Sequence, residues 1–157
     1  MQRRKRVKDS MTEQVFIIRT QYINGFGRLF GGVLMQWMDE LAGIVARRHC
    51  GMCVTTAAVD NLNFKSGAYL NDMVVLIGKL TYVGKTSMEV RVDAYIEGDD
   101  GKRRSINHAY IVMVAIDENG CPVRVSGVEI ETEKEKKEWD GGEKRYQLRK
   151  QRRIEGY

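Results

Sequence analysis

Proline is almost missing from this chain: Pro122 is the single one in 157 residues, so little interrupts helices and strands. Cysteine is scarce as well. Three residues, an odd number, do not build a disulfide framework and fit a reducing compartment. The longest apolar helical stretch is about 14 residues and carries two carboxylates, short of the ~20 residues that cross a bilayer. The basic opening MQRRKRVKDS has no apolar region of the kind a signal peptide needs, so a cytoplasmic protein is expected. A Gly-x-Ser-x-Gly elbow does not occur, which leaves a serine hydrolase unsupported. Internal repeats and low-complexity segments are also absent, and the length suits one domain.

Charge is unevenly placed. The net charge is +5, but residues 1–10 carry five Lys/Arg against one Asp, and residues 131–157 carry nine Lys/Arg against seven Asp/Glu. The remaining body is slightly acidic. Basicity confined to the ends, without interleaved aromatics, argues against a nucleic-acid surface. The expected organisation is a basic arm over 1–10, a folded domain over 11–130 and a charged helical tail over 131–157. Neither end supplies a motif residue, so trimming residues 1–9 and 143–157 should leave activity.

The stretch Asn24 to Cys50, NGFGRLFGGVLMQWMDELAGIVARRHC, organises the rest. At 100° per residue, Val33, Leu34, Met35, Trp37, Met38, Leu41, Ala42, Ile44, Val45 and Ala46 fill a broad apolar arc. This predicts a helix enclosed on most sides, ending near His49 with Gly51 as its C-cap. The period then changes to two. Strands are predicted at Val15–Ile18, Val54–Phe64, Asp72–Val83, Thr86–Glu97 and Arg104–Asp117, with a short one within Val123–Ile130. In the fourth, Met88, Val90, Val92, Ala94 and Ile96 point one way, and Glu89, Arg91 and Asp93 the other. Residues 131–150 read as a poorly amphipathic charged helix broken at Gly141-Gly142. One helix followed by antiparallel strands is an α+β order, and a curled sheet is the simplest cover for so wide an apolar arc.

Asp39 and Glu40 flank the polar edge of the central helix. A carboxylate on the border of a buried face is partly desolvated and suited to act as a base, although structural carboxylates outnumber catalytic ones. The Gly31-Gly32 entry lets a ligand approach the backbone, and free N–H groups at a helix N-terminus attract developing negative charge. Other motifs carry less. Gly84-Lys85-Thr86-Ser87 is not a phosphate-binding P-loop, because Lys79 stands where that motif needs glycine and a strand follows instead of a helix. Cys50-x-x-Cys53 has no further ligands at metal spacing, and no metal is expected. His108 reads as a satisfied core histidine, and Asp60 as structural. Asn61, Asn63 and Phe64 follow it, and their spacing alone assigns them no role.

Asn24, Gly27-Arg28-Leu29-Phe30-Gly31-Gly32, Met38-Asp39-Glu40 and Arg48-His49-Cys50 together resemble the signature of hotdog-fold acyl-CoA thioesterases of the cytosolic acyl-CoA hydrolase type. The resemblance extends over about residues 8–130. It implies a hotdog fold: one long central helix wrapped by a curled antiparallel sheet, here with a charged C-terminal helix. It implies hydrolysis of acyl-CoA thioesters, hence a place in fatty acid metabolism, with no cofactor or metal, coenzyme A being part of the substrate. Homodimers with shared active sites, assembled as a trimer of dimers into a hexamer, are implied too, without nucleic acid or membrane insertion. By position, Asn24 would orient the water or the thioester and Asp39 would be general base or nucleophile. Gly31 and Gly32 would hold the oxyanion. Phe30, Phe64, Gly84, Thr86 and Ser87 would contact substrate, since the Gly84-x-Thr86-Ser87 turn of such proteins lies near coenzyme A. The chain departs from the pattern at residues 19–23, which lack a Met-Pro pair, and at Asn71, where glycine is usual. A non-catalytic acyl-CoA sensor and an RNA-associated protein are the alternatives.

Overall fold

A computed structural model describes residues 4–157. The chain runs β1 (Lys5–Arg6), α1 (Val7–Ser10), β2 (Thr12–Ile17), α2 (Gly31–Cys50), β3 (Cys53–Asp60), β4 (Met73–Val83), β5 (Ser87–Glu97), β6 (Arg103–Ile116), β7 (Val128–Glu129) and α3 (Glu133–Glu155). Five strands form one antiparallel sheet in the order β2-β4-β5-β6-β3. This is the expected α+β architecture of a helix wrapped by a sheet.

The core lies between α2 and one face of that sheet. Leu34, Trp37, Met38, Leu41, Ala42, Val45 and Ala46 are buried among Val74, Leu76, Leu80, Met88, Val90, Val92, Ala109, Ile111, Met113 and Ala115. Each fully buried Leu, Ile, Val or Met contributes about 1.5–3 kcal/mol relative to exposure, which makes this layer the dominant stabilising contact. Gly78, at the middle of β4, lets the helix come close. A Cβ there would sit 3.0 Å from Val45 Cγ2 and 3.1 Å from Leu41 Cγ. The helix ends as predicted: Gly51 takes φ +69 and its N–H donates to the Arg47 carbonyl at 2.8 Å.

Several expectations need correcting. The apolar arc of α2 is not enclosed on most sides in the single chain, because Met35 is 42% exposed and Val33 and Ile44 are only half-buried. The third strand stops at Asp60 instead of Phe64, since Asn61 turns into the left-handed region at φ +58 and leaves the ladder. Asn71 also takes a positive φ, +70. Asparagine tolerates that conformation, so the departure from glycine at this position is conformationally neutral. Only Val128–Glu129 of the last predicted strand pairs, in parallel with Lys5–Arg6. Residues 4–10 are folded onto the body, with Val7 and Ser10 buried and Lys8 paired to Glu131 at 3.1 Å.

The largest correction concerns α3. It continues unbroken through Gly141-Gly142 over 23 residues, entered through a capping box between Thr132 and Glu135. It packs on the outer face of the sheet, where Tyr82 meets Trp139 and Tyr146 at ring-centroid distances of 4.6 and 5.5 Å. Gly142 is what permits the approach: a Cβ there would sit 2.5 Å from the Tyr82 Cβ. Glu89, read from its alternation as an outward polar residue, is therefore 1% exposed beneath this helix. It accepts bonds from the Arg145 guanidinium at 2.8 and 3.0 Å, from Arg149 at 3.0 Å and from the Thr81 hydroxyl at 2.6 Å.

Candidate functional site

Asp39 sits at the start of the third turn of α2, half-buried, opposite the edge strand β3. The Thr56 hydroxyl donates to its Oδ1 at 2.6 Å. Thr56 is held in β3 by pairing with Met113 of β6, next to a bulge between Thr56 and Ala58. These two residues share a cleft of about 320 Å³ with Gly32, Met35, Gln36, Val59 and Leu62. Its wall is apolar apart from the carboxylate, the hydroxyl and the Gln36 amide, the composition of a small-molecule site. Thr56 went unnoticed in the sequence. Its signal is a pair of hydroxyl residues, Thr55-Thr56, in a β-branched run on an exposed edge. Glu40, in contrast, is exposed and among the described residues accepts only from Gln36 Nε2 at 3.1 Å.

The entry to α2 keeps free donors. No side chain caps the helix, Val33 and Leu34 N–H both donate to the Phe30 carbonyl, and among the described residues no acceptor meets the Gly31 or Gly32 N–H. The side of these glycines where a Cβ would stand is not open to a ligand, however. A Cβ on Gly32 would lie 2.6 Å from the Phe30 ring and one on Gly31 3.1 Å from the Phe64 ring. Glycine here admits two phenyl rings against the backbone, while the N–H groups remain available.

Asn24 is placed elsewhere. It lines a second cleft, of about 410 Å³, with Arg28, Phe30, Gly31, Phe64 and Ser66, and not the Asp39 cleft. Its Oδ1 accepts from the Phe26 and Arg28 N–H groups at 2.9 and 3.2 Å, which ties the loop 24–28 into a compact turn. With the oxygen so used, the amide Nδ2 is the part left to act on a ligand, as a donor. The tip of this loop carries Phe26, 89% exposed.

Thr86 and Ser87 line a third cleft, about 390 Å³, between Ala57 and Ala58 of β3 and Tyr146, Arg149, Arg152 and Arg153 of α3, with the C-terminal Tyr157. Gly84 does not line it; its N–H closes the β4–β5 turn on the Ser87 carbonyl at 2.8 Å. The single chain thus divides the predicted site residues other than Gly84 among three clefts. Asp60, read as structural, accepts from Arg149 and Arg152 at 2.9 and 3.1 Å. His108 is half-buried on the outer face, its ring 6.1 Å from Tyr110, and not in the core. Burial holds its pKa below the ordinary value. His49 is the buried histidine: its Nε2–H donates to the Ser126 carbonyl at 2.8 Å, and burial depresses its pKa. Cys50 is buried and Cys53 exposed, and among the described residues no cluster of three metal-ligating side chains occurs. No helix among them is long and apolar enough to cross a membrane.

Comparisons with known proteins identify relatives of the chain as a whole. A family model described as the thioesterase superfamily matches residues 26–102. A Bacillus subtilis protein described as an uncharacterized acyl-CoA thioester hydrolase is 39% identical, over 83% of this chain and 75% of that one. The rat cytosolic acyl coenzyme A thioester hydrolase is 35% identical over 81% of this chain, which spans about a third (34%) of its length. Among solved structures, an acyl-CoA hydrolase of Staphylococcus aureus, in complex with butyryl coenzyme A, coenzyme A and its disulfide, superposes with TM-score 0.92. It is 33% identical, over 98% of this chain and 94% of that one. Variants of that hydrolase with an asparagine, an aspartate or a threonine changed to alanine also match, at TM-scores 0.91, 0.91 and 0.92. A hexameric acyl-CoA thioesterase superposes with TM-score 0.89 at 36% identity, over 94% of this chain and 95% of that one.

Proposed function

The chain belongs to the acyl-CoA thioester hydrolases of the thioesterase superfamily, and from that premise we propose that it hydrolyses acyl-CoA to a carboxylic acid and coenzyme A. The observation that carries this reading is the Thr56–Asp39 hydrogen bond of 2.6 Å beside the uncapped Gly31-Gly32 end of α2. Asp39 accepts the proton of a water molecule as it attacks the thioester carbonyl carbon. Thr56 fixes the carboxylate's orientation through one oxygen and leaves the other free for that water. The carbonyl oxygen becomes negative in the tetrahedral intermediate, and the Gly31 and Gly32 N–H groups, reinforced by the helix dipole, stabilise it there. Collapse breaks the carbon–sulfur bond, and the proton held by Asp39 returns to the departing thiolate. Phe30 and Phe64 border the acyl group, and the Gly84–Ser87 turn borders the coenzyme A end.

The active site is shared between two copies, with Asn24 Nδ2 of one chain donating to water or thioester beside Asp39 of the other. This reading is supported by the separation of Asn24 and Asp39 into different clefts. Exposed apolar residues line both clefts, Met35 and Val59 at Asp39 and Phe30 and Phe64 at Asn24, surface of the kind that a second subunit covers. A trimer of such dimers gives the hexamer. The asparagine, aspartate and threonine varied in the Staphylococcus aureus hydrolase are the three side-chain types this site assembles.

The test is thiol release from a chain-length series of acyl-CoA substrates, comparing wild type with Asp39→Asn. The variant should keep its fold and lose ~10²–10⁴-fold in kcat. Near-normal turnover would remove Asp39 from the chemistry, and no release from any acyl-CoA by the wild type would end the hydrolase reading.

A further inference from the structure

We propose that Gln36 is a further catalytic residue of the Asp39 cleft: its Oε1 accepts the second hydrogen of the attacking water while Asp39 takes the first. This rests on the acyl-CoA hydrolase reading and adds to it the group that fixes the direction of attack. A water molecule has two hydrogens and two lone pairs. Aiming one lone pair at a carbonyl carbon is favoured when both hydrogens are held, and a single base holds only one.

Gln36 stands where that second acceptor is needed. Gly32, Gln36 and Asp39 line the same cleft and fall within about 60° of one another around α2, at 3.6 residues per turn. Along the axis Gln36 lies about 6 Å beyond Gly32 and about 4.5 Å before Asp39. A thioester carbon bound between the oxyanion donors and the base therefore has Gln36 as its neighbour on the helix. The rest of the wall offers no equivalent. Met35, Met38, Val59, Leu62, Ala109 and Ile111 are apolar. Thr56 is turned to the Asp39 carboxylate at 2.6 Å and packs on Met113 Sδ at 3.6 Å.

Glu40 sets which pole of the amide is free. Gln36 Nε2 donates to Glu40 Oε1 at 3.1 Å, one turn further along the exposed edge of α2. A carboxylate only accepts, so the nitrogen faces Glu40 and the oxygen is left over. Among the described residues no group donates to that oxygen. Glu40 thus keeps the amide from turning its N–H groups toward the water. The acceptor also complements Asn24 Nδ2 of the other chain, which is a donor. With Asp39 and Gln36 on the two hydrogens and that donor on one lone pair, the remaining lone pair points at the carbonyl carbon.

The experiment compares full-length wild type and Gln36→Met on butyryl-CoA, in water and in water containing methanol. Methionine keeps the length and helix propensity of glutamine and removes the acceptor. In the variant, kcat for acid formation should fall roughly tenfold with KM unchanged, the pattern of an interaction made in the transition state alone. Methanol carries a single hydroxyl hydrogen. Asp39 takes it as the methanol oxygen bonds to the carbonyl carbon, the carbon–sulfur bond breaks, and the proton passes to the coenzyme A thiolate, leaving methyl butyrate. The methyl group has nothing to donate to Gln36, so ester formation should be unaffected and the ester-to-acid ratio should rise about tenfold. An unchanged kcat, or an effect confined to KM, would overturn the assignment and leave hydrolysis by Asp39 standing. So would an unchanged ester-to-acid ratio, including acid as the sole product of both proteins. No thiol release by the wild type would end the hydrolase reading itself, and this role with it.

Discussion

The helices α2 and α3 are of similar length, 20 and 23 residues, and lie on opposite faces of the same strands. Their attachment could hardly differ more. Nine α2 residues are buried, and all but His49 are apolar, whereas only Gly142 and Arg149 are buried on α3. The inner helix is held by the area of apolar surface it removes from water, which is non-directional and tolerant of small shifts. The outer helix is held by two aromatic contacts and by arginines that reach through to Glu89 and Asp60. Such an attachment depends on direction, and every partner matters. Removing one side of a buried ion pair leaves the other charge without solvent or counter-ion.

The largest effect should come from separating those charges. Arg145→Ala with Arg149→Ala would strand Glu89 beneath α3 and should destabilise the fold by ~3–5 kcal/mol in urea denaturation. For the same reason, removing residues 143–157 should cost stability, even though that segment supplies no motif residue. If the double variant were as stable as wild type, α3 would be attached mainly through Trp139 and Tyr146.

Glycines at the two contacts sharpen the contrast. Gly142→Ala brings a Cβ to 2.5 Å from the Tyr82 Cβ, and it should destabilise by roughly 1–2 kcal/mol even after helix propensity returns about 1. Gly78→Ala meets the Val45 and Leu41 side chains at 3.0 and 3.1 Å, which can yield by small shifts. Its cost should be clearly smaller. Equal losses in thermal denaturation would contradict the idea that the inner interface is the more forgiving one.

A smaller effect depends on pH. Burial depresses the pKa of His49 below its ordinary 6.5, and among the described residues its Nδ1 has no partner. The unfolded chain therefore takes up a proton before the folded one does. Stability from this residue is fully present above about 6.5 and falls as pH falls through that value toward the folded pKa. His49→Gln should flatten the stability profile over that window. A profile unchanged by the substitution would show that other groups govern acid sensitivity.

The same contrast explains what was legible in the sequence. α2, its Gly51 cap, the core strands and the Asp39 position all follow from apolar periodicity and glycine placement, which sequence displays directly. α3 also carries a stripe, through Trp139, Gly142, Arg145, Tyr146, Arg149 and Arg152 at spacings of three and four. A hydropathy reading counts arginine as surface, so the stripe passed for a poorly amphipathic face and Gly141-Gly142 for a break. Glu89 was misread for the complementary reason: its partners lie 56 and 60 residues away. In the candidate site, Asp39 and the glycines were visible, but Thr56 was not. Its pairing with the carboxylate exists only after β3 closes the sheet edge over α2.

The most direct test of the central claim is to mix inactive chains. Asn24→Ala and Asp39→Asn proteins are combined after reversible dissociation, and thiol release from acyl-CoA is followed as hybrids form. If Asn24 of one chain works beside Asp39 of the other, each hybrid dimer holds one intact site, and statistical mixing restores activity to about a quarter of wild type. A mixture whose hybrids are demonstrated but which stays as inactive as its parents would place both residues in a site within one chain and contradict the shared-site account.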